Sequence, residues 1–130
     1  MDQSGKVAVV TVSARGVGAA VALKLAGRGW KVVINYSRSE DQAREVEKAC
    51  RRAGGETFLC RADVAPDADC RRMAADVMEQ WGRIDALVNN AGTTKFCDHN
   101  DLEGLTGEDF QRIYGVNVIG PYQMIRAVAP

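Results

Sequence analysis

Short apolar segments recur along this chain at nearly regular intervals, and this rhythm limits the folds that the chain can adopt. The segments cover residues 6–12, 31–35, 57–60 and 84–88, and they begin about 25 residues apart. Strands that are apolar at almost every position are typical of a sheet covered on both faces. Parallel strands need connections of a dozen or more residues, which these intervals supply. The spacing therefore predicts consecutive βαβ units.

Helical patterns fill the first two intervals. Residues 16–28 place apolar groups on one helix face, and Gly27 and Gly29 predict the end of that helix. Ser39 and Gln42 have the spacing of a capping box for a second helix, which ends at Gly54. The residues expected to face the core are Val17, Ala20, Val21, the Lys24 stem and Leu25 in the first helix, and Ala43, Val46, Cys50 and Ala53 in the second.

Two further helices are predicted after the third and fourth strands. The helix that follows Pro66 has a complete apolar stripe, made of Cys70, Met73, Ala74, Val77, Met78 and Trp81. Thr106 and Asp109 are spaced to cap the last helix, and Gly115, Gly120 and Pro121 predict bends or breaks within it. Right-handed crossovers then order the strands 3-2-1-4. The expected fold class is α/β, a doubly wound parallel sheet of the Rossmann type, formed by one dinucleotide-binding domain over residues 1–130.

Composition excludes several classes of function. The chain has 17 basic and 17 acidic residues, and this zero net charge argues against a nucleic-acid or anionic membrane partner. Neither a signal peptide nor an 18-residue apolar run is visible. The four cysteines form no C-x-x-C pair and His99 is the single histidine, so no metal site is expected. We expect the cysteines to be core residues of a cytoplasmic protein.

A glycine-containing turn joins the first strand to the first helix. Residues 11–18, TVSARGVG, lead directly into the helix. Such a turn surrounds a pyrophosphate with backbone N–H groups and the positive helix terminus. Glycine is needed where a Cβ would block the approach of the phosphate or the packing of helix on strand. The candidate cofactor-binding residues of this turn are Thr11, Ser13, Arg15, Gly16, Val17 and Gly18.

The end of the second strand predicts which dinucleotide binds. NAD-binding turns place a carboxylate there to accept hydrogen bonds from the ribose hydroxyls. This chain has Tyr36, Ser37 and Arg38 instead, and Glu40 already lies in the next helix. Arg38 and Arg15 can converge on a 2′-phosphate, and Ser37 can donate to it. We therefore favour NADP(H) over NAD(H).

Four motifs in chain order resemble those of the short-chain dehydrogenase/reductase family. Thr11-x-x-x-x-Gly16-x-Gly18 is similar to the family's T-G-x-x-x-G-x-G turn, and Asp63-Val64 follows the third strand. Residues 89–92, NNAG, follow the fourth strand, and Asn117 lies in the last helix. The resemblance implies that Asp63 accepts from the adenine amino group and Val64 packs on that ring. It also implies cofactor contacts from Asn89, Ala91 and Gly92 and a catalytic role for Asn117.

Two features depart from the family pattern. Val12 occupies the position of the first glycine, where a β-branched residue disfavours positive φ, so the turn either relaxes or binds cofactor less well. The family's Tyr-x-x-x-Lys proton-donor pair is not found. The nearest match is Tyr122-x-x-x-Arg126, but arginine stays charged and cannot relay protons, so we expect Tyr122 to be a packing or interface residue.

We expect this sequence to be the amino-terminal half of a larger domain, because the fourth strand reads as central yet would form a sheet edge. The resemblance implies an oxidoreductase that transfers hydride between a nicotinamide and a carbonyl or alcohol, and residues 33–37 suggest a 3-oxoacyl thioester. It also implies a homo-oligomer, a dimer or tetramer. The alternative is a non-catalytic nucleotide-binding or interaction module.

Overall fold

The structure, a computed structural model, describes residues 4–129. Residues 1–3, on which the expectation about a signal peptide partly rests, lie outside the described residues, as does Pro130. The strands are β1 (Val7–Val10), β2 (Lys31–Tyr36), β3 (Glu56–Arg61) and β4 (Ala86–Val88). The helices are α1 (Gly16–Ala26), α2 (Glu40–Arg52), α3 (Asp67–Trp81), α4 (Gly107–Tyr114) and α5 (Gly120–Val128), and a π-helical turn (Gly115–Ile119) joins the last two.

The four strands form one parallel sheet in the order β3-β2-β1-β4, as predicted. β1 is completely buried because its alternate side chains enter two different cores. Val7 and Val9 face the core that α3 and α5 cover, whereas Ala8 and Val10 face the core beneath α1 and α2. The predicted α/β fold class is confirmed.

Two strand ends differ from their predicted positions. β1 ends at Val10, two residues early, because Val12 has a φ of 49°, which interrupts the extended backbone of the strand. β4 begins at Ala86 rather than residue 84, and Asp85 precedes it. The Asp85 carboxylate accepts from Val7 N–H at 2.8 Å and so aligns the start of β4 with that of β1.

The predicted inward face of α1 is correct in part, because Val21 and Leu25 pack against the core, but the buried positions lie one residue further along. Gly18, Ala22 and Ala26 are buried, whereas Val17 is 71% exposed. Ala20 and Lys24 are also exposed, and Val21 and Leu25 are half-buried. Small residues let this helix lie close to the sheet, so its smallest side chains rather than its largest ones face inward.

The two predicted capping boxes have different outcomes. Ser39 is the N-cap residue of α2, but its side chain makes no capping hydrogen bond, so the box with Gln42 is not formed. The box at α4 is confirmed, because Thr106 Oγ1 accepts from Asp109 N–H at 3.1 Å and Asp109 Oδ2 accepts from Thr106 N–H at 2.9 Å.

The apolar stripe of α3 is largely as predicted. Its first four members are buried, Trp81 is half-buried and packs edge-on against Phe58, and Met78 is exposed, contrary to expectation. In α2, Ala43 and Cys50 are buried but Ala53 is exposed. The cysteines are all free thiols, of which Cys50, Cys60 and Cys70 are buried as expected and Cys97 is exposed.

The predicted break in the last helix takes the form of the π-helical turn. Gly120 ends this turn in close contact with the segment after β3, where a Cβ would lie 2.6 Å from Val64 Cγ2. A single π-helical turn within an α-helix is often found at functional sites. Here it presents Asn117 to the segment that follows β4.

Candidate nucleotide-binding site

A groove of about 380 Å³ crosses the carboxyl ends of β1, β2 and β3 and is walled by α4. This is the position at which open α/β sheets bind ligands, because the strand order reverses between β1 and β4. The groove is lined by Val12, Arg15, Asn35, Ser37, Arg38, Ala62, Asp63, Val64, Gly92, Thr93, Thr94, Lys95, Asp109, Arg112, Ile113 and Val116. Most of the candidate cofactor-binding segments therefore meet at one place.

The turn after β1 keeps the left-handed backbone that a glycine would adopt, although it contains a valine. Val12 has a φ of 49° and Gly16 a φ of 59°. Two amide side chains hold Val12: Asn35 Oδ1 accepts from its N–H at 2.9 Å, and Asn90 Nδ2 donates to its carbonyl at 2.9 Å. Of the two expected outcomes, relaxation of the turn is therefore not observed. Gly18 packs so closely on this valine that any Cβ would collide with the Val12 carbonyl.

Thr11 and Ser13 are completely buried beneath the turn. Thr11 Oγ1 accepts from the N–H groups of Asn90 and Ala91, both at 2.9 Å. Ser13 Oγ accepts from Asn35 N–H at 2.7 Å and donates to the Val10 carbonyl at 2.8 Å. Both hydroxyls therefore position backbone segments around the groove.

The end of β2 presents cationic and hydroxyl groups to solvent. Arg15, Ser37 and Arg38 are exposed, and they line a small cleft of about 40 Å³ next to the groove. Glu40 Oε1 accepts from Arg44 at 3.0 Å and from the Tyr36 hydroxyl at 3.3 Å. Burial and the Glu40 charge raise the pKa of Tyr36. The acid that is nearest in sequence is thus already bonded to neighbouring residues of its own segment.

The Asp63 carboxylate lies in the groove and is held at both oxygens. Oδ1 accepts from Ala65 N–H at 3.1 Å and Oδ2 accepts from Arg112 Nη1 at 2.7 Å. Partial burial raises the pKa of Asp63, but these two hydrogen bonds outweigh it, so the pKa lies below its ordinary value. Val64 is buried in the core and lines the groove wall.

The segment after β4 is tied to the π-helical turn by one amide side chain. Asn117 Oδ1 accepts from Thr93 N–H at 2.7 Å and its Nδ2 donates to the Thr93 carbonyl at 2.9 Å. Gly92 lines the groove beside this pair, Ala91 is half-buried and Asn89 is exposed. The structure thus brings Asn117 to the NNAG segment, with both ends of its amide bonded to Thr93.

Four residues that organise the site were not singled out from the sequence. Asn35 was detectable as a polar residue in an otherwise apolar strand, and its Nδ2 also donates to the carbonyls of Cys60 and Ala62. Arg112 has no comparable signal in its local sequence, and its role is evident only from its hydrogen bond to Asp63. The other two are Asn90, which lies within the NNAG motif, and Gln123.

Tyr122 and Arg126 form a local pair. The guanidinium lies 5.2 Å from the ring centre and also bonds to Asp67 on α3 at 2.7 Å. Tyr122 is 60% exposed. Within residues 4–129, no three metal-ligating side chains cluster, and no helix is long and apolar enough to cross a membrane.

The fold and the position of this groove define a doubly wound α/β domain of the Rossmann type, and comparison with known proteins identifies its family. The family model for short chain dehydrogenases matches residues 6–130. Elsinochrome reductase 1 of Elsinoe fawcettii is 38% identical over 122 residues, which are 94% of this chain and 45% of that protein. The 3-oxoacyl-[acyl-carrier-protein] reductase FabG of Staphylococcus epidermidis is 36% identical over 96% of this chain and 50% of that protein. The chain belongs to the short-chain dehydrogenase/reductase family.

Solved structures agree with this assignment. A metagenomic short-chain oxidoreductase in complex with NADP superposes with a TM-score of 0.90 at 37% identity, covering 100% of this chain and 57% of that one. The chain spans about half the length of the curated relatives that it matches.

Proposed function

We propose that this chain binds NADP(H) and forms the cofactor-binding part of a reductase. The observation that carries the proposal is the cationic end of β2, where Arg15, Ser37 and Arg38 line one cleft. Glu40, the nearest acid in sequence, accepts a hydrogen bond from Arg44 of its own helix. An NAD-binding site would need a free carboxylate at this position to accept from the ribose hydroxyls. The structural relative solved with NADP supports the same choice.

The other groove residues fit the remaining parts of a dinucleotide. The N-terminus of α1 begins at Gly16, so its free N–H groups and helix dipole would hold the pyrophosphate. Asp63 would accept from the adenine amino group against the wall formed by Val64. Thr11 and Ser13 would act by positioning these segments, since their hydroxyls are bonded to backbone groups.

The reaction that we propose is hydride transfer between the nicotinamide and a carbonyl or alcohol substrate, which the bound cofactor makes chemically possible. Asn117 would fix the segment around Gly92 beside the reacting groups, because its amide bonds both polar atoms of the Thr93 backbone. A 3-oxoacyl thioester is the substrate class that we favour, and the likeness to a 3-oxoacyl-[acyl-carrier-protein] reductase supports it.

Fluorescence titration with NADPH and NADH tests this proposal. We expect the unsubstituted chain to bind NADPH more tightly. Arg38→Gln should raise the Kd for NADPH by about tenfold, the loss of one charged hydrogen bond to phosphate, and should leave the Kd for NADH nearly unchanged. The matched control is Arg71→Gln, which removes an exposed ion pair with Asp67 on α3 and should change neither constant. Tighter binding of NADH would overturn the proposal.

Binding without turnover is the second candidate function. It is favoured by the environment of Tyr122, whose four-residue partner is an arginine already bonded to Asp67. Incubation with NADPH and 3-oxoacyl thioesters, followed at 340 nm, distinguishes the two functions. The assay uses the full-length protein, because this chain spans about half the length of its relatives and contains no Tyr-x-x-x-Lys pair. Oxidation of NADPH supports the reductase, and NADPH binding without oxidation supports the second candidate.

We also propose that copies of the chain associate through α4 and α5. Large apolar side chains on these helices are exposed, among them Phe110, Tyr114, Tyr122 and Ile125. Light scattering after gel filtration tests the association, and a monomer at micromolar concentration would contradict it.

We further propose that the protein is cytoplasmic. Three buried free thiols suit a reducing compartment.

A further inference from the structure

Arg112 joins α4 to the turn after β3 through a partly exposed ion pair with Asp63. It extends from α4 to the groove, where its Nη1 lies 2.7 Å from Asp63 Oδ2. The Arg112 side chain is 49% exposed and that of Asp63 is 31% exposed. Ion pairs with this degree of exposure contribute little to stability. The contact therefore has another consequence, which is the orientation of the Asp63 carboxylate.

The backbone of the Asp63 turn is held by other residues. Asp63 N–H donates to Asp69 Oδ2 at 2.9 Å, and Gln123 Nε2 donates to the carbonyls of Val64 and Ala65 at 2.8 and 3.0 Å. Gly120 packs directly against Val64. Removal of Arg112 thus leaves the turn in place and releases one carboxylate oxygen only.

An ionised carboxylate accepts about four hydrogen bonds, and Asp63 uses two within the chain. Because each oxygen already has one donor, the plane of the carboxylate is set before any ligand arrives. A preorganised acceptor binds a donor without the entropy loss of ordering it. The 6-amino group of adenine is such a donor, whereas the 6-oxo group of hypoxanthine is an acceptor and would meet the carboxylate unfavourably.

We propose that Arg112 is a positioning residue that makes the adenosine subsite selective for a 6-amino purine, acting through the Asp63 carboxylate. The inference rests on the proposed binding of NADP(H) and adds a base-selecting residue to it. The guanidinium of Arg112 orients the Asp63 carboxylate through a hydrogen bond of defined direction as well as through its charge. Because a lysine would keep the charge but not this geometry, it should replace Arg112 only in part.

Titrations with NADPH and with its hypoxanthine analogue test the inference. The quantity of interest is the ratio of the two dissociation constants. We expect the unsubstituted chain to prefer NADPH, and Arg112→Gln to reduce this preference about fivefold, as for one half-exposed charged hydrogen bond. Arg112→Lys should give an intermediate ratio. Arg71→Gln, which removes a comparable ion pair away from the groove, should leave the ratio unchanged.

The outcomes separate the inference from the proposed function. Binding of neither dinucleotide by the unsubstituted chain would overturn both. Tight NADPH binding with the same preference in Arg112→Gln would overturn the inference alone. An equal loss of affinity for both dinucleotides would also overturn it, because a purely structural role predicts that result. Circular dichroism of each variant verifies that the fold is retained.

Discussion

Substitution of Val12 by glycine separates two effects that one side chain exerts on this site. The first is backbone strain, since Val12 has a φ of 49°. An L-residue in the left-handed region costs roughly 1–2 kcal/mol relative to glycine. Glycine also makes the unfolded chain more flexible, which lowers the free energy of unfolding by roughly 0.5–1 kcal/mol. The net change in the free energy of unfolding should therefore be small, within about 1 kcal/mol.

The second effect is bulk in the groove, which Val12 lines. Strain is present in both the free and the bound chain, so its relief changes stability and not affinity. Loss of the side chain does change affinity, because it opens the approach to the turn. Relief of one crowded contact is worth about 1 kcal/mol, which corresponds to a Kd for NADPH that is about fivefold lower.

Fluorescence titration of the two proteins measures this change, and urea denaturation measures the change in stability. Val12→Ala is the matched control, because alanine keeps the positive-φ penalty but removes most of the bulk. It should recover most of the affinity gain with little gain in stability. Equal dissociation constants for the unsubstituted chain and Val12→Gly would refute the reasoning.

Two further predictions concern pH and thiol reactivity. Hydrogen bonds from Arg83 and Val7 N–H hold the pKa of Asp85 below its ordinary value of 3.8, against a smaller effect of burial. The stabilisation is therefore present above pH 3.8 and is lost as the pH falls through the lower, folded-state value. Asp85→Asn should lose less stability between pH 7 and pH 3 in urea denaturation, and an unchanged loss would contradict this role. Cys97 is exposed and should react with a thiol reagent in the native chain. Burial raises the pKa of Cys50, Cys60 and Cys70 to about 11, so these thiols should react slowly. Mass spectrometry counts the labelled thiols, and more than one rapidly labelled thiol would contradict the structure.

The fold was predictable because each strand contains a short apolar run and these runs recur at nearly regular intervals. A strand such as β1, in which every residue is buried, must lie in the interior of a sheet that is covered on both faces. The helices between the strands make right-handed crossovers, which determine the order of the strands. The α1 face was not predictable in the same way. Its inward positions are defined by how closely the helix approaches the sheet, and a ranking by side-chain size places the buried face one residue too early.

The candidate site was predictable where a motif is contiguous in sequence. The glycine turn and the NNAG segment fall at the groove because both directly follow strands of one sheet. Contacts between distant segments were not predictable. The hydrogen bond from Arg112 to Asp63 joins residues that are 49 positions apart, and neither local sequence predicts it. Asn35 is conspicuous as a polar residue in an apolar strand, but its sequence does not indicate which backbone groups its amide links across the sheet.

The central claim is that the groove holds an adenosine bearing a 2′-phosphate. Titration of the chain with 2′,5′-ADP and with 5′-AMP tests it most directly, because the two ligands differ only in that phosphate. With Arg15, Ser37 and Arg38 at the cleft, the account predicts a Kd about tenfold lower for 2′,5′-ADP. Equal affinity, or tighter binding of 5′-AMP, would contradict it.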